Sequence, residues 1–193
     1  MTQLAFGLVL FFAAHLLPTV PSLRGALVSA LGENGYKIGF SLVSVLGLFL
    51  IASGVSAMRG SAADVQLWRP PLFARHLAFA LMLPAFILVV AAYAPPSHIR
   101  DRIRHPMLAG VTLWAAAHLF ANGDLLALLL FGSFLVFSLY DRFSAMKRDA
   151  ATRAPAKGWA GDAAALLAGT AFWAVTLFWL HGLAGVPLLA LAR

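Results

Sequence analysis

The chain has 193 residues, of which 62% are hydrophobic and only 11% are charged. A soluble domain carries about a quarter charged residues, so this composition indicates an integral membrane protein, and the absence of cysteine excludes disulfides and thiolate metal ligands. The formal net charge of +7 does not indicate a nucleic-acid partner, because the basic residues lie in short loops between apolar runs, where they set topology and meet anionic lipid head groups.

The apolar runs predict an all-α, integral membrane bundle of about six transmembrane helices, which form a single domain over residues 1–193. Each run approaches the roughly 20 residues that a helix needs to cross about 30 Å of hydrocarbon. We interpret the first run as a retained helix and not as a cleaved signal peptide, because no basic segment precedes it. The predicted spans cover residues 3–20, 38–58, 74–94, 106–121, 124–140 and 163–182.

The connections between these spans contain helix breakers or charged residues. Residues 21–37 are predicted to form the first loop, and Trp68-Arg69-Pro70-Pro71 ends the second. Asn122-Gly123-Asp124 is predicted to form a very tight turn in which Asp124 begins the fifth span. The longest and most polar connection covers residues 141–161, and no soluble domain fits into any of these loops.

Small residues lie on one face of the second predicted span, where Ser44, Gly47 and Gly54 occur at helical spacing. Such a face lets the backbones of two helices approach each other closely. A cofactor pressed against the helix is the alternative, and we favour helix packing.

The distribution of arginine and lysine orients the predicted bundle. Four of these residues fall on the side of the N-terminus, and ten fall in the loops of the other side. The positive-inside rule therefore places both termini outside and the three basic loops in the cytoplasm.

Two histidines lie within apolar runs, His15 in the first span and His118 in the fourth. An ionisable side chain at this depth is costly, so it indicates a functional site, and imidazole is the commonest protein ligand for transition metals and haem iron. Helical spacing places Phe11 and Phe12 beside His15, and Trp114 beside His118. These surroundings suit a flat apolar macrocycle, whereas a hydrogen bond between helices is the alternative role.

The predicted depths of the two imidazoles differ by about 12 Å at a rise of about 1.5 Å per residue. A haem held by both would therefore be tilted in the membrane. The other histidines carry weaker signals. We expect His76 and His181 at the outer interface and His98 in solvent. His105 precedes Pro106, so we expect an extended residue at a helix start, or alternatively a contact to an acidic cofactor or lipid head group.

Acidic residues are scarce, and no paired-carboxylate or Ser-His-Asp arrangement is visible. Glu33 is predicted to form a surface ion pair with Arg24 or Lys37.

Short sequence motifs follow one another in a fixed order between about residue 4 and residue 142. They are Phe12-Ala13-Ala14-His15-Leu16-Leu17-Pro18, Arg24, Gly32-Glu33-Asn34-Gly35-Tyr36-Lys37, Ser41-Leu42-Val43-Ser44, Trp68 with Pro70-Pro71, Arg75-His76, His105-Pro106-Met107-Leu108, Trp114-Ala115-Ala116-Ala117-His118-Leu119 and Asn122-Gly123-Asp124. Together they resemble the NnrU family of bacterial membrane proteins. This resemblance implies a bacterial inner membrane and, from the family's link to nitrite and nitric oxide metabolism, a supporting role in denitrification.

The NnrU family is in turn distantly similar to the plant zeta-carotene isomerase, which carries a b-type haem held by histidines. The matching positions are His15 and the segment from Trp114 to His118. This chain has Ala115 where the plant motif has a cysteine, so ligand switching, and with it isomerase activity, is not implied.

We therefore expect one haem b held by His15 and His118, in a protein of redox or nitrogen-oxide metabolism. Arg24, Lys37, Arg104 and His105 are predicted to contact the cofactor, the basic residues through its propionates. The alternatives are an enzyme that acts on a lipid-soluble substrate, such as a polyene, and a non-catalytic assembly partner of a respiratory reductase. The expected partners are membrane lipid and respiratory or denitrification proteins.

Overall fold

The structure, a computed structural model, describes residues 1–148 and 158–186, and its regular elements there are helices. The predicted all-α class is confirmed. A 3₁₀ turn at Leu17–Thr19 follows the first helix, and a π-helical segment at Thr176–Leu180 joins the last two. The α-helices are α1 (Thr2–Leu16), α2 (Pro21–Met58), α3 (Leu72–Ala91), α4 (His98–Ile103), α5 (Pro106–Ala121), α6 (Leu125–Arg148), α7 (Ala160–Val175) and α8 (His181–Leu183).

Five helical segments within the described residues are long and apolar enough to cross a membrane. The shorter apolar helix α5, which has the bounds predicted for the fourth span, packs among them. These lengths confirm the predicted multi-pass membrane bundle. The five candidate spans are Thr2–Thr19, Pro21–Met58, Leu72–Ala91, Leu125–Arg148 and Ala160–Leu183.

The helices pack as a chain of neighbours in the order α2, α1, α6, α5, α3 and α7. Helix α6 therefore lies between α1, which carries His15, and α5, which carries His118. A hydrogen bond of 2.9 Å from the Thr112 hydroxyl to that of the fully buried Ser138 joins α5 to α6. The two histidines thus belong to opposite flanks of one helix.

The small-residue face of α2 packs against α1, as predicted. A Cβ atom at Gly54 would lie 2.5 Å from the backbone nitrogen of Leu4, and one at Gly47 would lie 3.0 Å from Phe11. Leu4 is fully buried at this contact. The close approach explains why this face carries glycine, and it leaves no room for a cofactor between the two helices.

The prediction of a loop at residues 21–37 is wrong, because most of this segment is helical and belongs to α2. Only Gly32 departs from helical geometry, with φ 73° and ψ 162°, and it kinks the helix. Polar residues do not by themselves break a helix, and Pro21 at the first helical position favours one. Low hydropathy therefore did not mark the end of a helix here.

The connection at residues 141–161 is also shorter than predicted, since α6 continues through Asp141 and Arg142 to Arg148. Residues 149–157 lie outside the described part of the chain. Two of the basic residues used to orient the bundle, Arg153 and Lys157, fall there, and Arg193 lies beyond residue 186.

The connection between α2 and α3 folds over the turn between α5 and α6. The backbone N–H groups of Leu67 and Trp68 donate to the carbonyl of Gly123 at 2.8 and 3.0 Å, and the carboxylate of Asp64 accepts from the N–H of Leu126. A Cβ atom at Gly123 would collide with the carbonyl of Trp68. This turn therefore needs glycine, and the connection fixes the end of α5 that carries His118.

Candidate functional site

Three phenylalanines on α6 form an aromatic ridge that faces both α1 and α5. Phe131, Phe134 and Phe137 are each three residues apart, so their directions turn by about 60° at each step and sweep from the α5 side of the helix to the α1 side. These rings separate two groups of side chains in the interior. We call them the His15 region and the His118 region, after the histidine in each.

In the His15 region, the imidazole stacks on Phe11 with ring centroids 4.0 Å apart. Phe40 of α2 lies 5.0 Å away and Phe137 of the ridge 6.0 Å away. The Nδ1 atom lies 2.8 Å from the carbonyl oxygen of Phe11, one turn back in α1. The ring is half-buried, and its surroundings are aromatic.

In the His118 region, the imidazole stacks on Phe131 with centroids 4.2 Å apart, and Trp114 lies 5.0 Å away. The Nδ1 atom lies 2.8 Å from the carbonyl oxygen of Trp114. Asn122 donates a hydrogen bond of 2.9 Å from its side-chain amide to the carbonyl of His118, which closes the end of α5. The Asn122-Gly123-Asp124 motif thereby sets the position of this histidine.

The structure does not bring His15 and His118 together. Phe134 lies between them, with centroids 5.6 Å from Phe11 and 5.5 Å from Trp114. Because six residues of α6 separate Phe137 from Phe131, the two histidine regions are offset by about 9 Å along that helix. A single iron held by both histidines stays a prediction.

A third histidine, which the sequence placed at the outer interface, completes the His118 region. The rings of His118 and His181 have centroids 6.2 Å apart and planes only 9° from parallel. Both the backbone N–H and the Nδ1 atom of His181 bond to the carbonyl of Thr176, five residues back. The π-helical segment that precedes His181 turns this residue to a face that ordinary helical spacing does not predict.

All three histidines are held in the same tautomer. A carbonyl oxygen only accepts hydrogen bonds, so the Nδ1 atoms of His15, His118 and His181 must carry the proton. The lone pair then resides on Nε2. Histidines that bind metals are typically held by their second nitrogen in this way.

The donor set is compatible with a haem iron. Within residues 1–148 and 158–186, no group of three or more His, Cys, Asp or Glu side chains is placed to hold a metal ion. A bare metal ion would therefore lack ligands, whereas a haem needs only axial ligands from the protein. The hydroxyl of Thr176 is buried without a hydrogen-bond partner, next to the carbonyl that holds His181.

The basic residues predicted to contact a cofactor lie away from His118. Glu33 accepts from Arg24 at 3.5 Å and from Lys37 at 3.3 Å, which confirms the predicted surface ion pair. The Arg24 guanidinium also lies 5.5 Å above the ring of Tyr36, whose neighbour Phe40 contacts His15. A role for Arg24 in binding a cofactor stays a prediction.

Arg104 and His105 precede α5, and both have positive φ, of 46° and 51°. His105 lies at the start of α5 as predicted, where it is the N-cap residue. The expectation that it is extended is wrong, because it adopts the left-handed region that leads the chain into Pro106. His105 is 13 residues from His118, which is about 20 Å along the helix. The predicted cofactor contacts of Arg104 and His105 are untested and would require a ligand that spans this distance.

The prediction that His98 is only solvated is wrong. His98 begins α4, and its Nδ1 lies 2.6 Å from a carboxylate oxygen of Asp162 in α7. The other oxygen of Asp162 accepts from the N–H of Ile99 at 2.9 Å. This pair links α4 to the start of α7, so its role is structural.

An open apolar groove flanks the His15 region. It has a volume of about 820 Å³ and lies between the end of α1 and α6, with Phe12 and Phe137 in its wall. Phe137 also contacts His15, so the groove and the imidazole share a wall. Its remaining lining is mostly apolar, with hydroxyl groups from Thr19, Ser133 and Tyr140, which suits an acyl chain or another lipid-soluble molecule.

A family model described as NnrU protein matches residues 3–188, which is nearly the whole chain. The match extends the resemblance found at the level of motifs to the last helix and to His181. No curated protein and no solved structure matches the chain significantly.

Proposed function

The chain belongs to the NnrU family, and on this basis we propose that it is a bacterial inner-membrane protein that binds haem b and serves redox or nitrogen-oxide metabolism. The five candidate spans support a multi-pass arrangement, and the shorter apolar helix α5 would serve as the sixth crossing that returns the chain to the side of its N-terminus. The excess of arginine and lysine in the loops between spans supports an orientation with both termini in the periplasm.

One observation carries the haem proposal. His118 lies half-buried among aromatic rings of a membrane helix, with its Nδ1 proton bound to the Trp114 carbonyl and its Nε2 lone pair left for a metal. The Trp114 and Phe131 rings pack against this imidazole, with centroids 5.0 and 4.2 Å away. Asn122 fixes the helix end on which the histidine stands. Such supporting contacts tune and orient a metal-ligating imidazole.

A bound haem b would supply a one-electron redox couple and an iron with two axial positions. The protein's part is to present imidazole nitrogens to those positions and to exclude water from them. Two imidazole ligands would leave no open position at such an iron, which would favour electron transfer over binding of a substrate there.

The groove beside His15 favours a second candidate function. In this alternative, the protein is an enzyme that acts on a lipid-soluble polyene. Gly132 lies in the groove wall, and a leucine there would narrow the groove without touching His118. If a polyene is the substrate, Gly132→Leu should abolish its turnover while the haem content stays at the wild-type level. Unchanged turnover would exclude the groove as the substrate site.

The haem proposal is tested with the full-length chain purified in mild detergent from haem-supplemented bacterial cells. We expect one haem b per chain by the pyridine haemochrome assay, a Soret band, and sharp α and β bands after dithionite reduction. His118→Ala should remove most of the haem, whereas the exposed His76→Ala serves as a control that retains it. A wild-type protein that stays colourless would overturn the proposal.

A further inference from the structure

We infer that His181, and not His15, is the axial partner of His118 at the haem iron. This inference rests on the proposed haem binding and names the second ligand of the same site. It assigns a role to the last helix of the chain, which the sequence motifs left without one.

The separation of the two rings is that of a ligand pair. Metal–nitrogen bonds of about 2.0 Å, with each ring centre about 1.1 Å behind its nitrogen, place two imidazoles on opposite sides of one metal with centroids roughly 6 Å apart. The rings of His118 and His181 lie at 6.2 Å. The two rings are parallel to within 9°, and this contact is looser than the one His118 makes with Phe131 at 4.2 Å.

The backbone before His181 is irregular, and this irregularity helps to place the His181 ring near that of His118. The π-helical segment Thr176–Leu180 interrupts the regular spacing of the last span, and such segments are frequent at functional sites. It gives the Thr176 carbonyl two donors from His181, the backbone N–H and Nδ1. The hydroxyl of the same Thr176 is buried and has no hydrogen-bond partner.

A second contact anchors the end of this helix. The guanidinium of Arg59, at the end of α2, donates to the carbonyl of Ala184, three residues after His181. Arg59 also begins the connection that folds over the α5–α6 turn near His118. The two histidines are therefore held from the same side of the bundle, whereas Phe134 and about 9 Å along α6 separate His15 from His118.

The test compares His181→Ala, His181→Met and His15→Ala in the purified full-length protein, with His76→Ala as the control for histidine removal on an exposed helix face. Size-exclusion profiles and helical circular dichroism verify that each variant is folded. The readouts are haem content, the oxidised and reduced absorption spectra, and the midpoint potential.

We expect His181→Ala to convert the iron from six-coordinate low-spin to five-coordinate high-spin, and added imidazole to restore the low-spin spectrum. His181→Met should keep a low-spin iron with a raised potential, because a methionine ligand raises the potential of a haem. A purely structural residue would show neither effect. His15→Ala and His76→Ala should keep the wild-type spectrum.

A low-spin spectrum in His181→Ala together with a high-spin spectrum in His15→Ala would overturn the inference and leave the haem proposal standing. A low-spin spectrum in both variants would overturn it as well. A colourless wild-type protein would instead overturn the proposed function itself.

Discussion

The histidines of the two regions make the same local hydrogen bond but have different surroundings. His15 and His118 each bond Nδ1 to a carbonyl one turn back, and each lies against a phenylalanine of its own region. The His118 region adds a second imidazole, a capping asparagine and an ordered connection, whereas the His15 region faces an open apolar groove. The neighbours of a histidine in a membrane helix, and not its depth alone, therefore distinguish the candidate ligand His118 from His15.

The largest expected effect is a loss of haem affinity, and it should differ between the His118 region and the His15 region. Loss of a supporting contact around a metal ligand lowers affinity by about 10–100-fold, so removal of the ligand itself in His118→Ala should lower haem affinity by at least that factor. His15→Ala should leave the haem affinity within error of the wild type. Haem titration of the apoprotein, followed at the Soret band, measures both. Equal losses in the two variants would break the distinction between the regions.

Gly123→Ala should produce the next largest effect, a loss of stability caused by disturbed packing near His118. The added methyl group meets the Trp68 carbonyl, which is backbone and has no flexible side chain to move aside. Overpacking of this kind costs about 1–3 kcal/mol. Thermal unfolding in detergent should shift downward, and Gly182→Ala, where a Cβ meets nothing within 4 Å, is the matched control. An unshifted transition would mean that the connection does not pack on this turn in solution.

Asp64→Ala should weaken, by a smaller amount, the contact between the α2–α3 connection and the α5–α6 turn. Its carboxylate accepts from the N–H of Leu126 at the start of α6, and loss of such a cap costs about 0.5–2 kcal/mol. We expect faster proteolysis of the connection between α2 and α3. Haem retention during dialysis would fall if this connection protects the His118 region, and unaltered proteolysis would argue against the cap.

Arg24→Gln, in the His15 region, should have the smallest effect. Its ion pair with Glu33 is about half exposed on both sides, and exposed pairs contribute about 0–1 kcal/mol. Stability and haem content should both stay within error of the wild type. A clear loss of haem would instead support the prediction that Arg24 binds a propionate.

The sequence predicted the membrane bundle and several helix ends because these depend on local features. Pro106 and Asn122-Gly123 bound α5 at the predicted residues, since proline starts a helix and the asparagine closes it. Asp124 caps α6 as predicted, by accepting from the N–H of Ala127 at 2.7 Å. Hydropathy alone failed at residues 21–37, where a polar helix and a polar loop have the same composition.

The candidate site was only partly predictable, because its decisive contacts are not local. His118 could be identified from the cost of burying an imidazole, but its neighbour His181 is 63 positions away and reaches it through a π-helical segment that no periodicity indicates. The pairing of His98 with Asp162 was missed for the same reason. A histidine at the end of an apolar run was the only available signal for His181.

The most direct test is the low-temperature electron paramagnetic resonance spectrum of ferric protein that carries His15→Ala. The nearly parallel rings of His118 and His181 predict a rhombic low-spin signal, because both axial imidazoles remain in this variant. A high-spin axial signal would show that His15 is a ligand, and a protein without haem iron would contradict the account as a whole.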